Sequence, residues 1–373
     1  ASRKIQIKYI DPIRNPDFVK SFVYQGNEPS ENSLIISAGK LFKVLSEADL
    51  FEIGMDVQRR HQVRSLVVEE RVTGALLYVD GGIRRTIAEL KGHGEAVLPQ
   101  ILTKSLRLEN YELIDLDLRS ELRVPDHIDV LAVNLPDRDL SPGEAESIGE
   151  FIEAGGNGLF LVGPILSGTP NLGKLLSAYG IELTNALVTE NDAGFYTQIP
   201  IFLMPRQKPH DILDPIASAD MRTIVPFSQS LDILKLNDTS IQTIPLLVTS
   251  EKARLRDNGE AGPEGPFTIA AAATLVREGT VDKESRIVVV GSGAVSDPDI
   301  LRDVPANVNF ILNGFNWLAG QNSASAIRPK SLLSFRLAMD RRQSLIYSGI
   351  AVILIPLLIF GAGLGVWLWR RRL

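Results

Sequence analysis

A histidine and a carboxylate set among glycines mark the place in this 373-residue chain where residue types and spacing best suit chemistry. Gly92-His93-Gly94-Glu95 offers a titratable ring, an acceptor and two residues without a Cβ, so backbone N–H groups can approach a polar ligand. Following a strand and opening a helix, such a loop presents those N–H groups to an anion at the carboxyl edge of an open sheet. The plainer reading is a tight turn in which Glu95 favours the helix start through its dipole.

Other runs carry less. Gly291-Ser292-Gly293-Ala294-Val295-Ser296 follows an apolar strand and fits a G-x-G-x-x-S phosphate loop. It lacks the Walker lysine, and helix capping by Ser296 or Asp297 explains it. Asn309, Asn313 and Asn316 fall at i, i+4 and i+7, one stripe of a helix that could meet a ligand or a partner. Beside them Trp317 offers a large apolar body and one N–H, which suits anchoring the helix. Asp115 and Asp117 alternate on a strand and read as its exposed face.

What the chain lacks narrows the chemistry further. The four histidines, His61, His93, His127 and His210, include no i, i+4 pair, and there is no cysteine. Thiolate metal sites, disulfides and cysteine nucleophiles are excluded, so neither metal nor cofactor is expected and no complete catalytic constellation stands out. With 39 Lys and Arg against 45 Asp and Glu, the net charge of −6 disfavours a nucleic-acid partner.

The elements that position these residues follow from periodicity. Residues 3–9 alternate as a strand, residues 33–44 read as two short strands joined at Ala38-Gly39, and a helix follows from Ser46. That order suits a thioredoxin-like α/β module over 1–64, incomplete at its N-terminus and without the redox Cys-x-x-Cys. A helix over 65–79 leads into a second domain spanning 65–326. There the strands 84–90, 111–118, 128–134, 158–163 and 286–291 alternate with helices, one of them burying Val97, Leu98, Ile101, Leu102 and Leu106. Another begins at a capping box, Ser141-Pro142-x-Glu144, and ends at Gly155-Gly156. Strand–helix repetition of this length predicts a doubly wound parallel sheet. Residues 186–282 are less regular and read as an inserted β-rich part, and 305–319 form a further helix.

From Leu345 to Trp369 the chain carries no charge, and as a helix it would run about 37 Å, enough for a hydrocarbon core of about 30 Å. Tyr347, Trp367 and Trp369 sit where interfacial aromatics belong, and Gly361 and Gly365 form one G-x-x-x-G that a packed partner helix could use. Residues 327–344 are then a membrane-proximal linker. The basic tail 370–373, with Arg370, Arg371 and Arg372, is expected in the cytoplasm and the large domain outside. A cleaved signal or a first membrane helix is expected upstream.

The order of several motifs resembles the GldG-type auxiliary proteins of bacterial ABC transporters, first named from gliding motility. It comprises Glu69, Gly92-His93-Gly94-Glu95, Asn110-Tyr111, Val124-Pro125, Leu135-Pro136, Asp139-Leu140-Ser141-Pro142-x-Glu144 and Phe151-Ile152-x-x-Gly155-Gly156. It continues through Leu246–Ser250, Ile287–Gly291, Asn309 to Gly320 and Ile327-Arg328-Pro329-Lys330. The resemblance implies a glutamine-amidotransferase-like α/β domain without the Cys nucleophile. It also implies an inner-membrane protein, its large domain periplasmic or extracellular, partnered by lipid, a permease and its cytoplasmic ATPase in a homo- or hetero-oligomer. The expected role is a non-enzymatic auxiliary subunit that binds substrate or couples permease motion to the envelope. The rivals are a membrane-tethered hydrolase or transferase using His93 and Glu95, and an envelope carbohydrate-binding module.

Overall fold

The computed structural model describes residues 5–23, 28–55, 61–81, 85–165, 168–257, 260–276, 284–320, 330–331, 352–353 and 355–371. The chain forms two compact units, one of residues 1–50 and 67–328, the other of 51–66 and 329–373.

The first unit begins with a short helix α1 (Pro16–Lys20) and an antiparallel hairpin, β1 (Leu34–Ala38) with β2 (Leu41–Leu45), turning through Gly39 at φ +58°. Phe22 stacks edge-on against Phe42, tying α1 to the hairpin. Residues 5–9 are not a strand, contrary to their alternation. Among the described residues they have no strand partner, and Ile7 and Tyr9 are 71% and 96% exposed. The helix expected from Ser46 is a single 3-10 turn, Glu47–Leu50.

Next comes α2 (Val68–Val79), followed by the strands and helices of an open sheet: β5 (Arg85–Leu90), α3 (Gln100–Leu108), β6 (Tyr111–Leu116), β7 (Val130–Asn134), α4 (Pro142–Glu153) and β8 (Asn157–Leu161). The fifth parallel strand is Glu284–Val290, and the parallel block runs β6-β5-β7-β8-(Glu284–Val290). Numbered along the chain this is 2-1-3-4-5, whose direction reverses between β5 and β7.

Alternate residues of each strand serve opposite cores. Ile87, Val130, Ala132, Leu159 and Val288 pack under α3 and the C-terminal helix of the unit, α8 (Pro305–Leu318). Ala88, Leu131, Val133, Phe160 and Val289 pack under α4 and α5 (Pro170–Ser177). Helices therefore cover both faces, which explains why the parallel strands read as unbroken apolar runs.

The β-rich part is not a separate insertion. Apart from the two-stranded pair Phe202–Leu203 with Val225–Pro226, its described strands from β9 (Ile181–Thr189) onward extend the same sheet to 12 strands, because Ala270–Val276 pairs antiparallel with Glu284–Val290. The result is a mixed α/β sheet with a parallel block at one end.

One polar side chain stabilises the loops that cover this sheet. Asn307, fully buried on α8, accepts from Ile224 N at 3.0 Å and donates to Ile224 O at 2.7 Å. Lys43 plays a comparable part for the hairpin. Its ammonium donates to Arg107 O and Leu108 O at the end of α3, at 2.8 and 2.9 Å, and to Asn110 Oδ1. Burial and then Arg71 lower its pKa to about 8 while Glu109 opposes them.

The second unit holds an antiparallel three-stranded sheet of β3 (Phe51–Met55), β4 (His61–Leu66) and Lys330–Ser331, together with a helix at Ile355–Arg370. Among the described residues no helix is long and apolar enough to cross a membrane. The helix has 16 residues, about 24 Å, and residues 345–351 of the expected span lie outside the described ones.

Replacing Asn307 with Ala takes the partner from two partly buried backbone groups at Ile224. Urea unfolding should show a loss of about 2–4 kcal/mol with an unchanged m value.

Candidate functional site

Gly92-His93-Gly94-Glu95 leaves the end of β5 at the sheet's reversal point, where an open α/β sheet has its crevice. The loop is pinned at both ends. Lys91 N donates to Leu116 O at 2.8 Å, and Ala96 N to Asn134 O at 2.9 Å. Asn134 Nδ2 returns a bond to Ala96 O at 3.0 Å, and Glu89 Oε2 receives Leu98 N at 3.3 Å. Gly92 and Gly94 both take positive φ, +119° and +79°. A Cβ on Gly92 would lie 2.7 Å from Arg119 Nε, and one on Gly94 2.7 Å from Asp137 Oδ2. Both glycines are therefore required by conformation and by crowding.

The loop does not open a helix. Four residues separate Glu95 from Gln100, where α3 begins after Pro99, so the dipole reading of Glu95 fails. With the helix starting late, Val97 is 70% exposed while Leu98, Leu102 and Leu106 are buried.

Glu95 instead folds back on its own loop. Oε2 accepts His93 N at 2.8 Å and Oε1 faces His93 Nδ1 at 2.9 Å. The other ring nitrogen, Nε2, faces Glu144 Oε2 at 3.2 Å. The carboxylates are buried, and His93 is only 6% exposed. His93 O also receives Asp137 N and Arg138 N, which locks the loop after β7 onto the loop after β5.

Glu144 sits in the first turn of α4 and completes the capping box. Ser141 Oγ accepts Glu144 N at 3.3 Å, and Glu144 Oε2 accepts Ser141 N at 2.8 Å. Burial pushes its pKa up, but the hydrogen bonds from Ser141 and His93 outweigh that and hold it below the usual carboxylate range. At the rim, Arg119 binds Asp117 through Nε at 2.9 Å and Nη2 at 2.5 Å, and these bonds bring the exposed Asp117 carboxyl down to about 2.

This geometry changes the reading of the loop. The backbone donors at His93 and at the start of α4 are occupied by the chain's own carboxylates, so the crevice is already filled where an anion would bind. Both ring nitrogens of His93 face carboxylates, and neither faces a hydroxyl nucleophile.

The remaining predicted residues do not converge. Asn309 is exposed, Asn313 donates to Ile212 O at 2.9 Å, and Asn316 bridges Tyr111 Oη at 2.8 Å and Glu109 Oε2 at 2.9 Å. Trp317 stacks with His210 and receives the Arg286 guanidinium over its ring. Gly361 has no neighbour within 4 Å, and Gly365 lies on the same helix. After Gly291, Ser296 donates to Asn134 Oδ1 at 2.9 Å, while Asp297 caps the short helix α7 (Pro298–Asp303). Among the described residues no group of acidic or histidine side chains is arranged to hold a metal.

Fold and crevice together define an open α/β sheet protein whose reversal-point loop is closed by internal carboxylates. A family model described as "ABC-type uncharacterized transport system" matches residues 84–314, and the chain belongs to that family of transporter auxiliary proteins. No curated protein matches the chain in sequence. Solved structures similar to it include the mmIFT52 N-terminal domain, 19% identical with TM-score 0.48, over 62% of this chain and 97% of that one. A putative ThuA-like protein from Bacteroides uniformis is 12% identical with TM-score 0.35, over 65% and 93% of the two chains. A glutamine amidotransferase from Thermotoga maritima is 11% identical with TM-score 0.30, over 64% and 99%.

Gly94→Ala should cost about 1–2 kcal/mol in chemical denaturation, since it forces a Cβ into the left-handed region. Gly143→Ala, with no neighbour within 4 Å of its Cβ and no positive φ, should cost nothing. Because the folded pKa of Glu144 is depressed, its contribution is present above the ordinary carboxylate pKa and is lost as pH falls through the lower folded value. Thermal melts from pH 7 to pH 3 should therefore show Glu144→Gln less stable at neutral pH and converging with wild type in acid.

Proposed function

We propose that this auxiliary protein is a non-catalytic, membrane-anchored subunit of the GldG type. Its α/β unit would stand outside the cytoplasmic membrane and couple the motion of a permease, driven by a separate ATPase, to the envelope. The observation that carries the anchoring is the C-terminal helix. Leu357, Leu358, Phe360, Leu364, Val366, Trp367 and Trp369 are all exposed and lie around its circumference. In water that surface is unfavourable by about 25 cal/mol per Å², whereas lipid removes the cost. Arg371 lies 5.2 Å over the Trp367 ring, a pair suited to the headgroup level.

The reading as a scaffold is supported by the closed state of the His93 loop. A general base needs a ring nitrogen directed at a substrate or nucleophile, and here both are turned toward Glu95 and Glu144. The family membership supplies the transport context.

Affinity purification from membranes, with partners identified by mass spectrometry, tests the proposal. The full chain should bring down a permease and an ATPase in detergent, and a chain ending at residue 344 should partition to the soluble fraction and lose both. A full-length protein that is extracted by salt alone, or that comes down without either partner, would overturn it.

A further inference from the structure

We propose that two copies of this chain pair by exchanging strands: residues 5–9 of each copy add, antiparallel, to the outer edge of β1 (Leu34–Ala38) in the other. The inference goes beyond the transport reading and does not depend on it.

Three observations carry it. The first is a strand donor. Residues 5–9 make no backbone hydrogen bond to any described residue, yet their side chains alternate, Ile5, Ile7 and Tyr9 against Gln6 and Lys8. The apolar ones are 49%, 71% and 96% exposed. A segment of that pattern lacks only an edge to lie on.

The second is a matching acceptor. β1 pairs with β2 alone, through all five of its residues. The two-residue turn Gly39-Lys40 closes on Ala38 and Leu41 as a hydrogen-bonded pair, and alternation then turns the N–H and C=O groups of Ile35 and Ser37 away from β2. Among the described residues no backbone group meets them, and Leu34, Ser37 and Ala38 are exposed.

The third is the fit of the faces. Centred on one another, the two segments set Ile5, Ile7 and Tyr9 opposite Ala38, Ile36 and Leu34, three apolar pairs on one face, with Gln6 and Lys8 opposite Ser37 and Ile35 on the other. The apolar face is the one β2 lines with Leu41, Lys43 and Leu45, where Leu45 is fully buried and Lys43 reaches the end of α3. The added strand therefore continues a face that already packs inward, and a one-residue slip would set Lys8 on it. An unrelated protein would satisfy the β1 edge and leave residues 5–9 unpaired. A second copy satisfies both, because each chain gives one strand and receives one, and the exchange closes at two copies.

The chain has no cysteine, so disulfide trapping reads the contact directly. Ile7 and Ile36 would form a non-hydrogen-bonded pair with Cα atoms about 4.5 Å apart, within reach of a disulfide. Full-length chains carrying Ile7→Cys and, under a different tag, Ile36→Cys are co-expressed, extracted in detergent and oxidised. A disulfide-linked species carrying both tags is expected, and Lys8→Pro in the donor should lower its yield about tenfold by removing a ladder N–H. Gln6→Cys, on the opposite face, should not link to Ile36→Cys. Tyr9→Cys with Leu34→Cys repeats the test at two exposed positions. The proposal is overturned if neither pair joins the two tags, if Gln6→Cys links as well as Ile7→Cys, if Lys8→Pro leaves the yield unchanged, or if both cysteines placed on one chain close only within that chain. The trap needs no permease, so its failure leaves the transport reading standing.

Discussion

A single carboxylate group fastens the start of one helix to the exit of a strand 51 residues earlier, and the carboxyl edge of the sheet is organised around it. Glu144 Oε2 takes the Ser141 N–H and faces His93 Nε2, so α4 cannot shift along its axis without breaking the contact with the β5 loop. Charge-assisted bonds of this kind are short, directional and strong when buried. Glu95 closes the other side of the ring, and His93 O holds the loop after β7. The loop after β5 is thus fixed through His93 to the segment from the end of β7 to the start of α4, by its ring on Glu144 and by its carbonyl on Asp137 and Arg138.

The sheet has a second joint where its parallel and antiparallel parts meet. Gln229 sits at a bulge in the strand Gln229–Ile233, donating from Nε2 to Val162 O and Gly163 O and accepting Asn185 N. It fills the place where the β8 exit, β9 and the bulged strand cannot all satisfy one another through ladders alone. Gly291 passes directly beneath it because a side chain there would collide with Gln229 O. The twelve strands are therefore continuous in hydrogen bonding, though they differ in direction.

The parallel block and its helices were legible in the sequence because each signal was local. Ser141-Pro142-x-Glu144 specified the start of α4, and the apolar runs at 128–134 and 286–291 read as buried strands. The Gly92–Glu95 loop was legible as a place of interest. Its wiring was not, since pairing His93 with Glu144 requires the order of β5 and β7 in the sheet. Asn307 and Gln229 escaped notice for the same reason: a lone Asn or Gln carries no periodicity that foretells burial. Residues 5–9 show the opposite failure, a clean alternation with no strand partner among the described residues. Alternation states that a strand is affordable, and a neighbouring edge decides whether one forms.

Covalent connectivity between the two units has a mechanical meaning. The chain passes between them at 50/51, at 66/67 and again at 328/329. Leu50 and Val67 are joined by a backbone hydrogen bond of 3.1 Å, so the first two crossings leave from one spot. Within the second unit, Lys330–Ser331 pairs with Leu66 and Ser65 of β4. Within that unit, a pull on Lys330–Ser331 is met by β4 as shear across side-by-side backbone hydrogen bonds, which must yield together.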